Sequence, residues 1–414
     1  MSDSEPGAGG FPFIDLSKLL GGAGSGDPWV TASNLAVAIA TDGGNEPNLD
    51  PITRMQITDL GRVAELHVAQ AIGIELPSNT QIEPVSRGEW TKQSLDAYRP
   101  FFERFGEAMG SALQTEDLPV GDPMTAMLGQ LIQGLGPMMV SASAGSMIGN
   151  LGRHALGQYD LPIPRDTNRV LIVAGAIDET AADWNIDIND LRLWMLIHEL
   201  AAHAVLTIPH VRKRLDSLLI DYATAFRPDN DAIAEKFDLG FSGQPDMAQL
   251  QAMSEEFGDP EAILSMMRSR THDLLVPQFE ALVAAVLGFV AHTVDTICDG
   301  LIPSAPEIAN RFRTRWIDQA PADKMMEQLL GLNISDELLA RGSSFIEGII
   351  ERAGDEGLIR LWADELDLPT AAEIDAPGLW LARIGADGDS ENLEGFDSVP
   401  DDISSLLDDN DPDS

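Results

Sequence analysis

The segment that most constrains the fold is a single β-branched run in a chain of helical patterns. Residues 169–173 have the sequence Arg-Val-Leu-Ile-Val, which is typical of a compact, buried strand. Elsewhere apolar residues recur at three- and four-residue spacings, which predicts helices. Since a strand needs a partner, we expect this one to pair with another short segment. The sequence therefore predicts a mainly α protein with a small β element in its middle.

The predicted helices account for most of the chain between residues 28 and 385. Asp187 and Asp190 offer side-chain caps for a long helix that begins near Leu191 and ends at Pro209, where another helix starts. The stretch from Arg227 to about Asp259 is polar and predicts a surface excursion. The other predicted helices span approximately residues 29–72, 92–113, 123–156, 260–299, 307–316, 324–330 and 336–353.

Composition divides the chain into a folded region and two terminal segments. Residues 1–27 hold seven glycines around one short apolar stretch, which predicts a flexible N-terminal arm. Residues 386–414 contain eleven acidic residues and no lysine or arginine, which predicts a disordered acidic tail. Between them, residues 28–385 form one predicted domain, with a helical part over 28–160 and a part over 161–385 that carries the motifs described below.

The charge of the chain limits its partners. It has 67 acidic residues against 26 lysines and arginines, a formal net charge of −41, which repels phosphate backbones and anionic lipid. Neither nucleic acid nor a membrane is therefore an expected partner. The N-terminus lacks a basic region typical of a signal peptide, and the longest apolar run, residues 281–291, is shorter than a bilayer requires. With one cysteine, Cys298, in an apolar run, we expect a cytoplasmic protein without a disulfide or a Cys-based zinc cluster.

One segment, from residue 193 to residue 203, has the composition of a catalytic motif. His198 and His203 with Glu199 suggest a zinc hydrolase, in which imidazoles hold the metal and the carboxylate deprotonates its water. That chemistry uses His-Glu-x-x-His, because residues four apart differ by only about 40° around a helix. Here the histidines are five apart and differ by about 140°, and Ala202 occupies the second position. The imidazoles therefore diverge unless a π-bulge restores their convergence.

Several distinctive runs follow one another along the chain. They are Gly145-Ser-Met-Ile-Gly149, Leu156-Gly-Gln-Tyr-Asp160, the strand at 169–173, Asp190-Leu-Arg-Leu-Trp194, His198-Glu199, Ile208-Pro-His-Val-Arg212, Leu329-Leu-Gly-Leu332 and Leu368-Pro-Thr-Ala371. In this order the runs resemble the bacterial zincin-like metallopeptidase family, whose members are often described as zinc-dependent metalloproteases or hydrolases and are sometimes associated with deazaflavin-coenzyme biosynthesis. The resemblance spans about residues 11–384 and implies a zincin-like multi-helix domain and a metallopeptidase-like activity.

The sequence departs from this family at the residues expected to bind metal. The second histidine of the family falls on Ala202. The third ligand is expected from a Glu-Gly-aromatic-Val-Asp run on a later helix, and the corresponding run here is Leu287-Gly-Phe-Val-Ala291. Leu287 then occupies the glutamate position and Ala291 the aspartate position. Two of the three ligands that the resemblance implies are therefore missing or displaced.

Other residues offer a substitute ligand set. His203 with His292, joined by Asp295 or His198, would supply imidazoles and a carboxylate from two packed helices, and Glu199 would be the general base. We predict instead a catalytically degenerate member that acts as a scaffold for a peptide or protein partner. The alternative is an active zinc-dependent metallopeptidase with an atypical ligand set. A purely structural helical protein would be favoured if side chains fill the cleft.

Overall fold

The protein is described here by a computed structural model that covers residues 27–71, 73–74, 76–112, 123–226, 269–317 and 321–385. The predicted acidic tail, the first 26 residues of the predicted arm, and the excursion at 227–259 lie outside these ranges. The elements are α1 Pro28–Ala40, α2 Pro51–Ala71, β1 Gln81–Val85, α3 Arg87–Ala112, α4 Pro123–His154, β2 Arg169–Val173, α5 Ala174–Trp184, α6 Ile188–Leu206, α7 Pro209–Thr224, α8 Arg270–Cys298, α9 Ala305–Ile317, α10 Pro321–Leu329, α11 Asp336–Leu361 and α12 Pro377–Ile384.

The predicted fold class is confirmed, because the described residues form twelve α-helices and two short strands. The predicted strand at 169–173 has the bounds of β2. Its partner is β1, which pairs with it in parallel from Gln81 opposite Arg169 to Val85 opposite Val173. Parallel pairing requires a long connection, which α3 and α4 supply. β1 was not predicted, because it contains Pro84 and two polar residues and therefore lacks the β-branched pattern of a buried strand.

One of the predicted helical segments is divided by a turn. The helix predicted over residues 29–72 is divided into α1 and α2, because Asp42 and Gly43 adopt left-handed backbone conformations with φ of 51° and 71°. The predicted helix end near Ala353 is confirmed, because Gly354 has a non-helical backbone with φ of 63°, and α11 resumes beyond this kink to Leu361. Asp187 was correctly predicted as a cap, since its carboxylate accepts the N–H groups of the first turn of α6.

Helix α6 lies at the centre of the protein and carries the predicted catalytic motif. Every residue from Trp194 to Leu206 is buried. On its sides α6 packs against α2 and α8, and it also contacts β2, α5, α7 and α9. The motif residues therefore face protein in every direction rather than an open cleft.

Helix α8 is the longest apolar helix that packs against α6. By length and composition it could cross a membrane, and so could the pair of α6 and α7 if it is taken as one span bent by 84°. However, 61% of the apolar window of α8 is buried inside the protein, as in a core helix of a soluble protein. It crosses α11 in close contact, since a Cβ on Gly288 would overlap the carbonyl of Gly342.

Candidate functional site

The two histidines of the motif lie on different sides of α6. The helix is regular from Ile188 to Leu206 and contains no π-bulge, so the five-residue spacing keeps its angle of about 140°. His198 is directed towards α9, and His203 is directed towards the loop between α4 and β2. The divergence predicted from the spacing is therefore present in the structure.

His198 lies in an aromatic cluster. Its imidazole stacks on Trp194, one turn earlier, with 5.4 Å between the ring centroids and 15° between the planes. The edges of Phe312 and Trp316 on α9 contact the same ring, at 4.9 and 6.4 Å between centroids. Its Nδ1 lies 3.4 Å from Oε1 of Glu199. Three aromatic rings therefore enclose the side chain that would be the first metal ligand.

A small cavity of about 50 Å³ adjoins His198 between α6, α8, α9 and α11. Leu287 and Ala291, the positions at which the family resemblance implies a glutamate and an aspartate, line the same cavity as His198. This volume has room for one or two water molecules. A carboxylate also reaches it from Asp295, whose pKa is raised by burial and lowered in part by the charge of Arg313. The cavity is otherwise lined mainly by apolar and aromatic side chains.

The carboxylate of Glu199 lies beside the His198 imidazole and is enclosed by the loop between α4 and β2. The residue is fully buried, and its Oε2 accepts a hydrogen bond of 2.8 Å from the backbone N–H of Tyr159. The backbone of Gly157 lies so close that a Cβ there would overlap the carboxyl group. Burial raises the pKa of Glu199, and hydrogen bonding to His198 acts in the opposite direction. A general base needs contact with the water it activates, and this carboxylate is surrounded by protein.

His203 is fully buried one turn further along α6. Its Nδ1 lies 2.8 Å from the hydroxyl of Tyr159, and its Nε2 is enclosed without a hydrogen-bond partner. Burial lowers the pKa of His203 from 6.5 to about 4, so the imidazole is neutral near pH 7. Burial also raises the pKa of Tyr159, which therefore keeps its proton. The Nε2 atom of His203 is therefore a buried nitrogen that no other group of the described residues binds.

The predicted substitute ligands are not brought together. His292 is partly exposed on α8, where its Nε2 lies 3.5 Å from the hydroxyl of Thr296 on the same helix. Within residues 27–385, as far as they are described, no three His, Cys, Asp or Glu side chains are grouped closely enough to hold a metal ion. The zinc site that the family implies does not fit the donors present: His198 and His203 diverge, and Ala202 and Leu287 carry no ligand atom.

The loop that receives Glu199 and His203 was not predicted as part of the site. Its residues, Gly157 to Asp160, belong to one of the runs that carry the family resemblance. The loop is held at the sheet by a bridge between Gly157 and Ile172 and by a hydrogen bond of 2.9 Å from Val173 N–H to Leu156. Nothing in the sequence linked these residues to α6, about 40 positions later. The sequence feature that could have indicated this loop is a glycine followed by three polar residues shortly after a helix.

Comparisons with known proteins agree with this architecture. The family model of the zincin-like metallopeptidases matches residues 28–381, and no curated protein matches the sequence significantly. A solved structure from Chloroflexus aurantiacus, described as a candidate hydrolase with a novel fold, is similar, with a TM-score of 0.57 and 20% identity. The match covers 87% of this chain and 99% of the other, and at that identity it shows a shared fold. The chain belongs to the zincin-like metallopeptidase family.

Proposed function

We propose that this family member does not hold zinc through the motif of α6 and acts as a binding scaffold for a peptide or protein partner in the cytoplasm. The observation that carries the proposal is the direction of the three motif side chains. His198 is enclosed by aromatic rings, Glu199 is hydrogen-bonded to the Tyr159 backbone, and His203 contacts the Tyr159 hydroxyl. Zinc hydrolysis needs two imidazoles on one ion, with the carboxylate close to the bound water.

The cavity beside His198 supports the same proposal. Leu287, the position at which the family resemblance implies a glutamate ligand, lines this cavity together with His198. Leucine and alanine offer no lone pair to a cation, and burying an unpaired ion among them would be strongly unfavourable. The scaffold that surrounded a metal in active relatives would then be retained, while its ligand positions are occupied by packing residues.

An active zinc metallopeptidase with an atypical ligand set remains the second candidate. Its support is the unpartnered Nε2 of His203, a neutral imidazole nitrogen that could bind a metal ion. In this case Glu199 would act as the general base, and His198 or His292 would have to move to the same ion as His203. Because these side chains lie on different sides of α6 and on α8, that site would require a rearrangement of the core.

Metal analysis of freshly purified protein separates the two candidates. We expect zinc far below one ion per chain after purification without chelators. We also expect the double substitution Ala202→His with Leu287→Glu to bind zinc, because it returns two ligands at the positions expected beside His198. The matched control is Ala202→His with Leu287→Gln, which has nearly the same shape without the carboxylate. Circular dichroism would establish that both variants are folded.

One zinc per chain in the wild type, lost in His198→Gln, would contradict the proposal. Hydrolysis of a peptide library that disappears in Glu199→Gln would contradict it as well and would favour the active enzyme. A double variant that is folded but takes up no more zinc than its glutamine control would show that the inferred ligand positions are wrong.

A further inference from the structure

Arg165 is a buried arginine whose guanidinium has no hydrogen-bond acceptor. The residue is 4% exposed, and its Nε and Nη2 atoms are enclosed without a partner. Among the residues that the structure describes, no carboxylate forms an ion pair with it. Acidic groups of the adjoining segments have other partners: Asp160 pairs with Arg315, Asp166 pairs with Arg212, and Glu199 accepts the N–H of Tyr159. A buried charge without a counterion is strongly unfavourable, so a bound anion would stabilise this guanidinium.

The surroundings of Arg165 hold the guanidinium in a defined position. It lies over the rings of Trp90 and Tyr98 on α3, at 5.4 and 5.2 Å from the ring centroids. These residues are eight apart, so Ser94 lies midway between them on the same helix face. The hydroxyls of Ser94 and Tyr98 are also buried without a partner. Two unsatisfied hydroxyls therefore lie on the helix face against which the unpaired guanidinium packs.

Gln158 adds a further donor from the loop between α4 and β2. Its Oε1 accepts the N–H of Leu171, at 3.4 Å, which orients the amide, and its buried Nε2 lies beside the Tyr159 hydroxyl. Hydrogen bonding to Gln158 and the positive charge of Arg165 both lower the pKa of Tyr159, against the larger effect of burial, so both side chains lie near that hydroxyl. Unsatisfied buried polar atoms are uncommon in folded proteins, and three residues with such atoms are gathered around one loop and one helix face.

We propose that Arg165, Gln158, Ser94 and Tyr98 form a buried site for a small monocarboxylate. The unpartnered Nε and Nη2 atoms form one edge of the guanidinium, and this edge binds the two oxygens of a carboxylate in parallel. The amide and the two hydroxyls can donate to the remaining lone pairs. One positive charge matches one negative charge, which favours a monoanion over a dianion such as phosphate. This inference goes beyond the proposed function, since it does not depend on whether Glu199 or zinc is active.

The burial of all four side chains selects the kind of ligand. Each is at most 4% exposed, so the carboxylate must be enclosed by the protein. A free, short-chain acid meets that requirement, whereas an acidic side chain on a folded partner would have to enter the core. The site therefore takes a small acid rather than a second protein.

Thermal unfolding of the full chain tests the site, with acetate and formate as probes against chloride at equal ionic strength and pH 7. We expect saturating acetate to raise Tm by about 2 °C and inorganic phosphate to have no such effect. Arg165→Met should lose the acetate effect. In buffer without carboxylates it should unfold at or above the wild-type temperature, because an apolar side chain of similar length replaces an unpaired charge. The matched control is Arg169→Met, whose exposed guanidinium pairs with Glu83 and which should respond to acetate as the wild type does.

Tyr98→Phe keeps the ring beneath the guanidinium and removes only the hydroxyl, so it tests the site if Arg165→Met does not fold. We expect it to weaken acetate binding several-fold, measured by line broadening of ¹³C-acetate. A wild type with no acetate or formate response, or a crystal structure with ordered water alone around Arg165, would overturn the proposal. An equal response to phosphate would overturn the assignment to carboxylates, and an acetate effect that persists in Arg165→Met would place binding elsewhere.

Discussion

The two sides of α6 use the same motif in different ways. On one side His198 packs against three aromatic rings and borders a small cavity. On the other side Glu199 and His203 are hydrogen-bonded to Tyr159, and the backbone of Gly157 leaves no space beside the carboxylate. Two imidazoles and a carboxylate that are close in sequence therefore do not form one site here. Helix geometry directs the two imidazoles to different neighbours, because the residues are five apart.

Arg315 joins the two sides. Its guanidinium lies 4.8 Å from the ring centre of Phe312, in the aromatic cluster, and it forms an ion pair with Asp160 of the polar loop. It also donates a hydrogen bond of 2.6 Å to the carbonyl of His154. Asp160 in turn accepts the N–H of Leu156, at 2.7 Å. The aromatic side and the polar side are therefore parts of one packed unit, and changes on each can be compared by their effect on stability.

The largest expected effect is on the aromatic side. Phe312→Ala should lower the free energy of unfolding by about 4 kcal/mol, because Phe312 is 2% exposed and its removal enlarges the cavity beside His198. Urea denaturation measures this change. Phe312→Leu, which fills most of the volume, should cost roughly 1 kcal/mol. Equal losses for the two variants would show that ring packing, rather than volume, determines stability on this side.

A smaller loss is expected on the polar side. Gly157→Ala should cost about 3 kcal/mol, since its Cβ would overlap the Glu199 carboxyl group and force the loop or the side chain to move. Gly175 on α5 is the matched control, because a Cβ there meets nothing within 4 Å. Gly175→Ala should be neutral or stabilise by about 0.5 kcal/mol. If Gly157→Ala is equally harmless in urea denaturation, the carboxylate is not enclosed as described.

The smallest effect concerns the pH dependence of stability. The pKa of His203 is about 4 in the folded protein and 6.5 ordinarily, so between these values the unfolded chain binds more protons and acidification destabilises the fold. From pH 6.5 to pH 5 this contributes a loss of about 2 kcal/mol. The raised pKa of Glu199 acts with the opposite sign, because the folded protein then binds the additional proton.

Unfolding free energies of the wild type and His203→Gln between pH 5 and pH 7 isolate this contribution. The variant should lack the loss due to His203, and Glu199→Gln should retain it. The same dependence in the wild type and His203→Gln would contradict the neutral, buried state of the imidazole. It would also weaken the contrast between the two sides of α6.

Much of the fold followed from local patterns. The β-branched run predicted β2, Asp187 predicted the start of α6, and the apolar spacings predicted most helices. The turn that separates α1 from α2 and the strand β1 were not predicted. The turn depends on the left-handed backbone conformations of Asp42 and Gly43, and the strand depends on its distant partner β2. Neither segment has a periodic sequence. Of the site, the divergence of His198 and His203 was predicted from spacing, and the proposal that they do not hold zinc together remains a prediction.

The sequence alone determined the angle between the motif side chains, because a regular helix rotates by a constant amount per residue. It also determined that the positions expected for two metal ligands carry alanine and leucine. Only the tertiary structure decided which groups each side chain meets. The loop at Gly157–Asp160 and the aromatic residues of α9 lie about 40 and 115 positions from α6, and long-range packing brings them against it. Whether polar atoms such as those of the Arg165 guanidinium are paired depends on the neighbours that the fold places around them. No local sequence pattern therefore reveals an unpaired atom.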